Sequence, residues 1–80
     1  MFLHIGSDTA VPKEDIVGIF DMRAVKSSIT REFLEVVGDE GFVRDITGGS
    51  KAKSFVITDR GVFISPISCA TLLKRALKAI

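Results

Sequence analysis

The stretch Ser-Phe-Val-Ile-Thr-Asp-Arg-Gly-Val-Phe-Ile-Ser-Pro, residues 54–66, constrains the fold more than any other part of the chain. Two apolar runs of strand length flank the turn signal Asp59-Arg60-Gly61, and Pro66 stops the second run. Runs this close together fold back on each other, so the chain must contain an antiparallel pair.

Similar short runs precede it. Residues 2–5 read as a strand, Gly6-Ser7-Asp8 as a turn, and residues 9–11 as a returning strand ended by Pro12. Residues 16–21 read as a strand, and Gly18 inside it predicts a bulge or a close backbone approach. Residues 42–46 read as a strand with residues 54–58 as its hairpin partner. Gly48-Gly49 lies between them, and both residues tolerate positive φ.

Two segments change period from 2 to 3.6. Ser27-Ser28 offers an N-cap, and Ile29, Phe33, Val36 and Val37 form a helical stripe that Gly38 would close as the C′ residue. Ser68 caps a last helix, in which Cys69, Leu72, Leu73, Ala76, Leu77 and Ile80 share one face and Thr71, Lys74, Arg75 and Lys78 the other. The expected class is α+β: a mostly antiparallel β-sheet with two amphipathic helices, about 27–37 and 68–79. One domain spanning 1–80 is expected.

A chain of 80 residues buries a thin core, yet 46% of this one is apolar and its mean hydropathy is +0.35. The surplus apolar surface is expected to enter a subunit interface. No apolar run approaches the roughly 20 residues of a membrane span, and the start lacks the basic and apolar regions of a signal peptide. Cys69 is the single cysteine and excludes an internal disulfide. A cytoplasmic location is expected, with no membrane partner.

Few residues suit catalysis. His4 is the single histidine and lies between Leu3 and Ile5, which suits a structural, hydrogen-bonded role. Cys69 sits on an apolar helix face without a visible base. No metal-ligand spacing occurs. No catalytic residue, metal, cofactor or small-molecule substrate is expected, so an enzyme is not the reading. The Gly48-Gly49 loop also differs from a phosphate-binding P-loop in spacing and in being followed by a strand.

Charge is divided along the chain. Residues 1–50 carry a balance of −4 and residues 51–80 a balance of +5. Such asymmetry marks an anionic partner, unless folding intermixes the halves. If a strand starts by Lys51, then Lys51 and Lys53 share a face with Phe55 and Ile57. Lysines there either protect a sheet edge or clamp phosphates. Lys74, Arg75 and Lys78 either complement the helix dipole or meet phosphates. Trp and Tyr are absent, which disfavours stacking on single strands and favours duplex DNA.

The segments "MFLHIGSDTAVPKEDIVGIFD" and "SFVITDRGVFISPISCATLLKR" resemble the extracellular matrix regulatory protein family of Firmicutes, and within it the RemB-like branch. The related RemA branch implies a DNA-binding activator of biofilm-matrix operons that assembles into ring-like homo-oligomers. Its Gly-Arg-Arg-x-Arg pattern falls on Gly49-Ser50-Lys51-Ala52-Lys53, so two of three basic positions keep a charge. A further basic position of that branch falls on Asp15. Lysine lacks the bidentate fork of arginine, so weaker, more salt-sensitive binding is implied. The expected DNA-binding residues are Lys51 and Lys53, with Arg60, Arg31, Lys74, Arg75 and Lys78 as lesser candidates. The alternative, motivated by Ser50 and Asp15, is an oligomeric scaffold without direct DNA binding.

Overall fold

The computed structural model describes residues 1–26 and 28–78, without the side chains of Val25, Lys26, Ser28 and Ile29. Among the described residues the order is β1 (Phe2–Gly6), β2 (Thr9–Pro12), β3 (Ile16–Asp21), α1 (Ser28–Asp39), β4 (Val43–Asp45), β5 (Ser54–Thr58), β6 (Gly61–Ser65) and α2 (Cys69–Leu77). Single 3₁₀ turns, Lys13–Asp15 and Met22–Lys26, flank β3. The class is α+β with mostly antiparallel pairing, as the short consecutive turn signals require.

β1 and β2 form a separate two-stranded ribbon, and the other strands form a sheet in the order β3-β5-β6-β4. The β5–β6 hairpin lies at its centre, paired from Ser54↔Ser65 to Thr58↔Gly61. β3 is antiparallel to β5, and a bulge between Ile16 and Gly18 occurs where the glycine predicted one. Gly18 also admits a close approach: a Cβ there would stand 2.7 Å from the Phe20 ring.

The partner expected for residues 42–46 is corrected. β4 runs parallel to β6, with Arg44 opposite Phe63, and does not touch β5 in the ladder. The Gly48-Gly49 turn nevertheless forms. Gly48 and Gly49 have φ of +62° and +92°, and the Ser50 N–H donates to the Thr47 carbonyl at 3.1 Å. Positive φ at both central residues is type I′ geometry, here used inside a connection that passes the end of β6. β6 lies between β4 and β5, so their connection must cross the end of β6 and is longer than a hairpin turn.

Side chains alternate across the sheet. Ser54, Val56 and Thr58 are buried toward β1, β2 and α2, in a core with Leu3, Ile5, Val11, Ile46 and Leu72. Phe55 and Ile57 point to the opposite face, where Phe20 stacks on Phe55 at 5.3 Å and Thr30 and Phe33 of α1 lie alongside. The two helices therefore occupy opposite faces of one sheet.

One buried hydroxyl fastens the ribbon to the sheet, and a second fastens the link before α2. Ser65 Oγ donates to the Ile5 carbonyl at 2.7 Å and accepts from the Ile67 N–H at 3.0 Å, and Ser54 Oγ donates to the Ile67 carbonyl at 2.6 Å.

Helix ends differ in part from expectation. α1 continues through Gly38. The left-handed residue is Gly41, with φ of +81°, and Phe42 N–H donates to Val37 O while Gly41 N–H donates to Gly38 O. That pair of bonds is the Schellman motif, and with Gly41 available Gly38 keeps its helical conformation. Ser68 caps α2 as expected, accepting from the Thr71 N–H at 3.2 Å. The expected cap at Ser27 and the stripe positions Ile29 and Ile80 lie outside the described residues or side chains. No described helix is long and apolar enough to cross a membrane.

Candidate nucleic-acid interface

The two lysines stand at the end of the sheet where β3 stops, β5 starts and α2 begins. The Met22 N–H donates to the Lys53 carbonyl at 3.0 Å, and the Lys53 N–H donates to the Ser65 carbonyl at 2.9 Å. Lys53 thus adds one rung to β5 between its two neighbours. β5 begins at Ser54 and Lys51 lies outside that ladder, so the strand start by Lys51 on which a shared face depended does not occur.

Both residues still border one place. Lys51, Lys53 and Arg23 line an open cleft of about 450 Å³, together with Asp21 and Ser68. Arg23 is set by Asp21. Its Nε donates to Oδ1 at 3.1 Å, its Nη2 to Oδ2 at 2.9 Å, and its backbone N–H to Oδ1 at 2.8 Å. Those hydrogen bonds hold the Asp21 carboxyl below its ordinary pKa and raise that of Arg23. Three cations against one carboxylate leave the cleft, among the described residues, with a positive balance. Lys51, Lys53 and Arg23 are all exposed, so their charges meet water and any anion that approaches.

The loop before the lysines is braced at its other end. Asp45 Oδ1 accepts from the Thr47 hydroxyl at 2.6 Å and from the Thr47 N–H at 2.9 Å. These bonds, the hydroxyl first, lower the Asp45 pKa. An Asx turn leads into the Gly48-Gly49 turn and delivers Lys51 to the cleft.

The other expected contacts are elsewhere. Arg60 is in the β5–β6 turn, at the far end of the hairpin, roughly 17 Å away by strand rise. It shares a second cleft of about 290 Å³ with Arg44 and Asp15. There the Arg44 guanidinium stands 5.6 Å from the centre of the Phe63 ring. Arg31 is exposed on α1 and does not line the first cleft. Lys74, Arg75 and Lys78 lie along α2, and Arg75 Nη1 donates to the His4 carbonyl at 3.1 Å. His4 itself is exposed on β1. The described residues contain no cluster of three or more potential metal ligands.

Arg23 and Arg44 were not among the residues that the sequence singled out. The Asp21-Met22-Arg23 spacing is a readable cue to a local ion pair. Its placement beside Lys51 and Lys53 depends on the β3–β5 register, which no local signal encodes.

Comparison with known proteins decides the family. The RemA-like model, described as extracellular matrix regulatory protein A-like, matches residues 2–76. The chain belongs to the RemA-like family. A relative, extracellular matrix regulatory protein B of Bacillus subtilis (strain 168), is 42% identical over 76 residues, covering 95% of this chain and 90% of that one. The match to the RemA-like family thus takes in the cleft, both connections around the β5–β6 hairpin and almost all of α2.

Proposed function

We propose that this protein is a cytoplasmic, homo-oligomeric transcriptional regulator of extracellular-matrix genes that holds duplex DNA by its phosphates. Membership of a family named for matrix regulation supports the regulatory role and argues against catalysis. The observation that carries the DNA reading is the convergence of Lys51, Lys53 and Arg23 on one open cleft. Lysine and arginine donors bind phosphate oxygens without reading bases, so the cleft supplies affinity and orientation. One cleft is a weak site. Copies repeated in an oligomer bind together through their effective concentration.

Fluorescence anisotropy of a labelled duplex, titrated across salt, tests this. Each phosphate neutralised contributes a slope of about −0.9 in log affinity against log salt, so one engaged cleft gives about −2 to −3. Lys51→Ala/Lys53→Ala should remove about two of those units per engaged copy, and Arg23→Ala about one. An unchanged slope in Lys51→Ala/Lys53→Ala sinks the cleft assignment. Stable oligomers that retain no DNA at low salt would instead favour a scaffold role, to which the Asp21 fork on Arg23 and Asp15 beside Arg44 are suited.

A further inference from the structure

The second cleft, of about 290 Å³, opens between the β1–β2 ribbon and the far end of the sheet. Val11 and Pro12 line it from β2, Arg44 and Phe63 from the sheet, and Asp15 and Arg60 from the turns on either side. The register explains the placement. Phe63 pairs with Val56, which is buried toward the ribbon, and Arg44 pairs with Phe63, so all three share that face.

Each polar residue here is positioned by something other than an opposite charge. The Arg44 guanidinium stands 5.6 Å from the centre of the Phe63 ring. Arg60 sits in a braced turn: its N–H donates to Thr58 Oγ1 at 3.1 Å, and that hydroxyl donates to the Gly61 carbonyl at 3.0 Å. The Asp15 carbonyl accepts from the Asp59 N–H at 3.0 Å, which ties the 3₁₀ turn before β3 to the tip of the hairpin. Among the described residues the guanidiniums of Arg44 and Arg60 and the carboxylate of Asp15 form no ion pair or hydrogen bond. Two cations and an anion thus border one cleft without neutralising each other by contact.

A ligand that satisfies all of them needs an anionic group, hydrogen-bond donors and an apolar face. Two guanidiniums match the dianion of a phosphomonoester better than the single charge of a carboxylate. Hydroxyl groups supply the donors that Asp15 accepts. The volume is at the small end of ligand sites, about 300 Å³, which limits the ligand to about one sugar or one nucleoside. Duplex DNA fits poorly, because Glu14 and Asp59 are exposed beside Asp15 and Arg60 and would repel a run of phosphates. We propose that this cleft binds a small phosphorylated sugar or nucleotide, with its phosphate on Arg44 and Arg60, its hydroxyls on Asp15 and its apolar face against Val11 and Phe63. It is a site of binding and not of reaction, and it lies at the opposite end of the hairpin from the Lys51 and Lys53 cleft.

Amide NMR titrations with ribose 5-phosphate, and separately with inorganic phosphate, test this site by site. The Asp15, Arg44 and Arg60 signals should move and saturate in the millimolar range, independently of any response at Lys51 and Lys53. Arg44→Ala and Arg60→Ala should each weaken ribose 5-phosphate about tenfold, and Arg44→Lys should recover only part of that loss. Ribose 5-phosphate should bind about tenfold more tightly than inorganic phosphate, and Asp15→Ala should bring that ratio near one without weakening inorganic phosphate. Signals remote from the cleft report that each variant is folded. Adenosine 5′-monophosphate separates the two ligand sources: tighter binding than ribose 5-phosphate identifies a nucleotide, and equal or weaker binding a sugar phosphate. No movement of these signals up to about 20 mM, unchanged affinity in both arginine-to-alanine variants, or an unchanged ratio in Asp15→Ala overturns the site. Displacement of the ligand by duplex DNA, with weaker duplex binding in Arg44→Ala and Arg60→Ala, overturns it as well, by making the cleft part of the DNA surface.

Discussion

Ser65 has a buried hydroxyl with two partners, one in the ribbon and one in the link to α2. Removing it leaves the Ile5 carbonyl and the Ile67 N–H without that partner in a site closed to water. Ser65→Ala should therefore cost about 1–3 kcal/mol in urea unfolding, more than its one lost oxygen suggests. Asp21 behaves differently, because its bonds to Arg23 are exposed. Its folded pKa is lowered, so its contribution is present above the unfolded carboxylate value and is lost as pH falls through the folded one. Carboxyl NMR should give Asp21 a midpoint below the ordinary aspartate value of about 3.9, and Arg23→Ala should return it there. An unshifted midpoint in the wild type would remove the fork. Protonation frees Arg23 from Asp21, so phosphate should bind the cleft more tightly as pH falls through that range.

At the scale of elements, what the chain spells out is local. Each strand of β5 and β6 is bounded by its own turn chemistry, the Ser68 cap and the α2 stripe follow from residues within one turn, and Gly18 announced its bulge. Partner choice is not local. The Gly48-Gly49 turn has the same chemistry whether or not the strands around it pair, so residues 42–46 and 54–58 read as a hairpin although β6 intervenes. Arg23 is not legible as a site residue for the same reason, since only the β3–β5 register brings it to the lysines. The β1–β2 turn offers a quantitative check. Ser7 and Asp8 sit at φ of +48° and +58°, the type I′ positions that favour Asn-Gly. Asp8→Gly should relieve part of the left-handed strain, stabilising the protein by about 0.5 kcal/mol and raising Tm by roughly 2–4 °C. A lower Tm would mean that Asp8 serves another contact.

For the molecule as a whole, the surplus of apolar residues is not hidden inside. The core of Leu3, Ile5, Val11, Ile46, Val56 and Leu72 is compact, while Phe2, Val17, Val36, Phe42 and Leu77 remain more than half exposed. Composition indicated this surplus, and the fold distributes much of it over the α1 face and the outer edge of α2. The sheet order has one more consequence, for the chain as it is made. β3 pairs with β5 and β4 with β6, so neither has a strand partner until the central hairpin exists. On a ribosome the β1–β2 ribbon can close early, but residues 16–45 leave the exit tunnel with their sheet positions still vacant. For that interval Val17, Phe20 and the apolar stripe of α1 face solvent together. The last third of the chain is therefore both the place where the lysines are carried and the part that ends the nascent protein's most aggregation-prone stage.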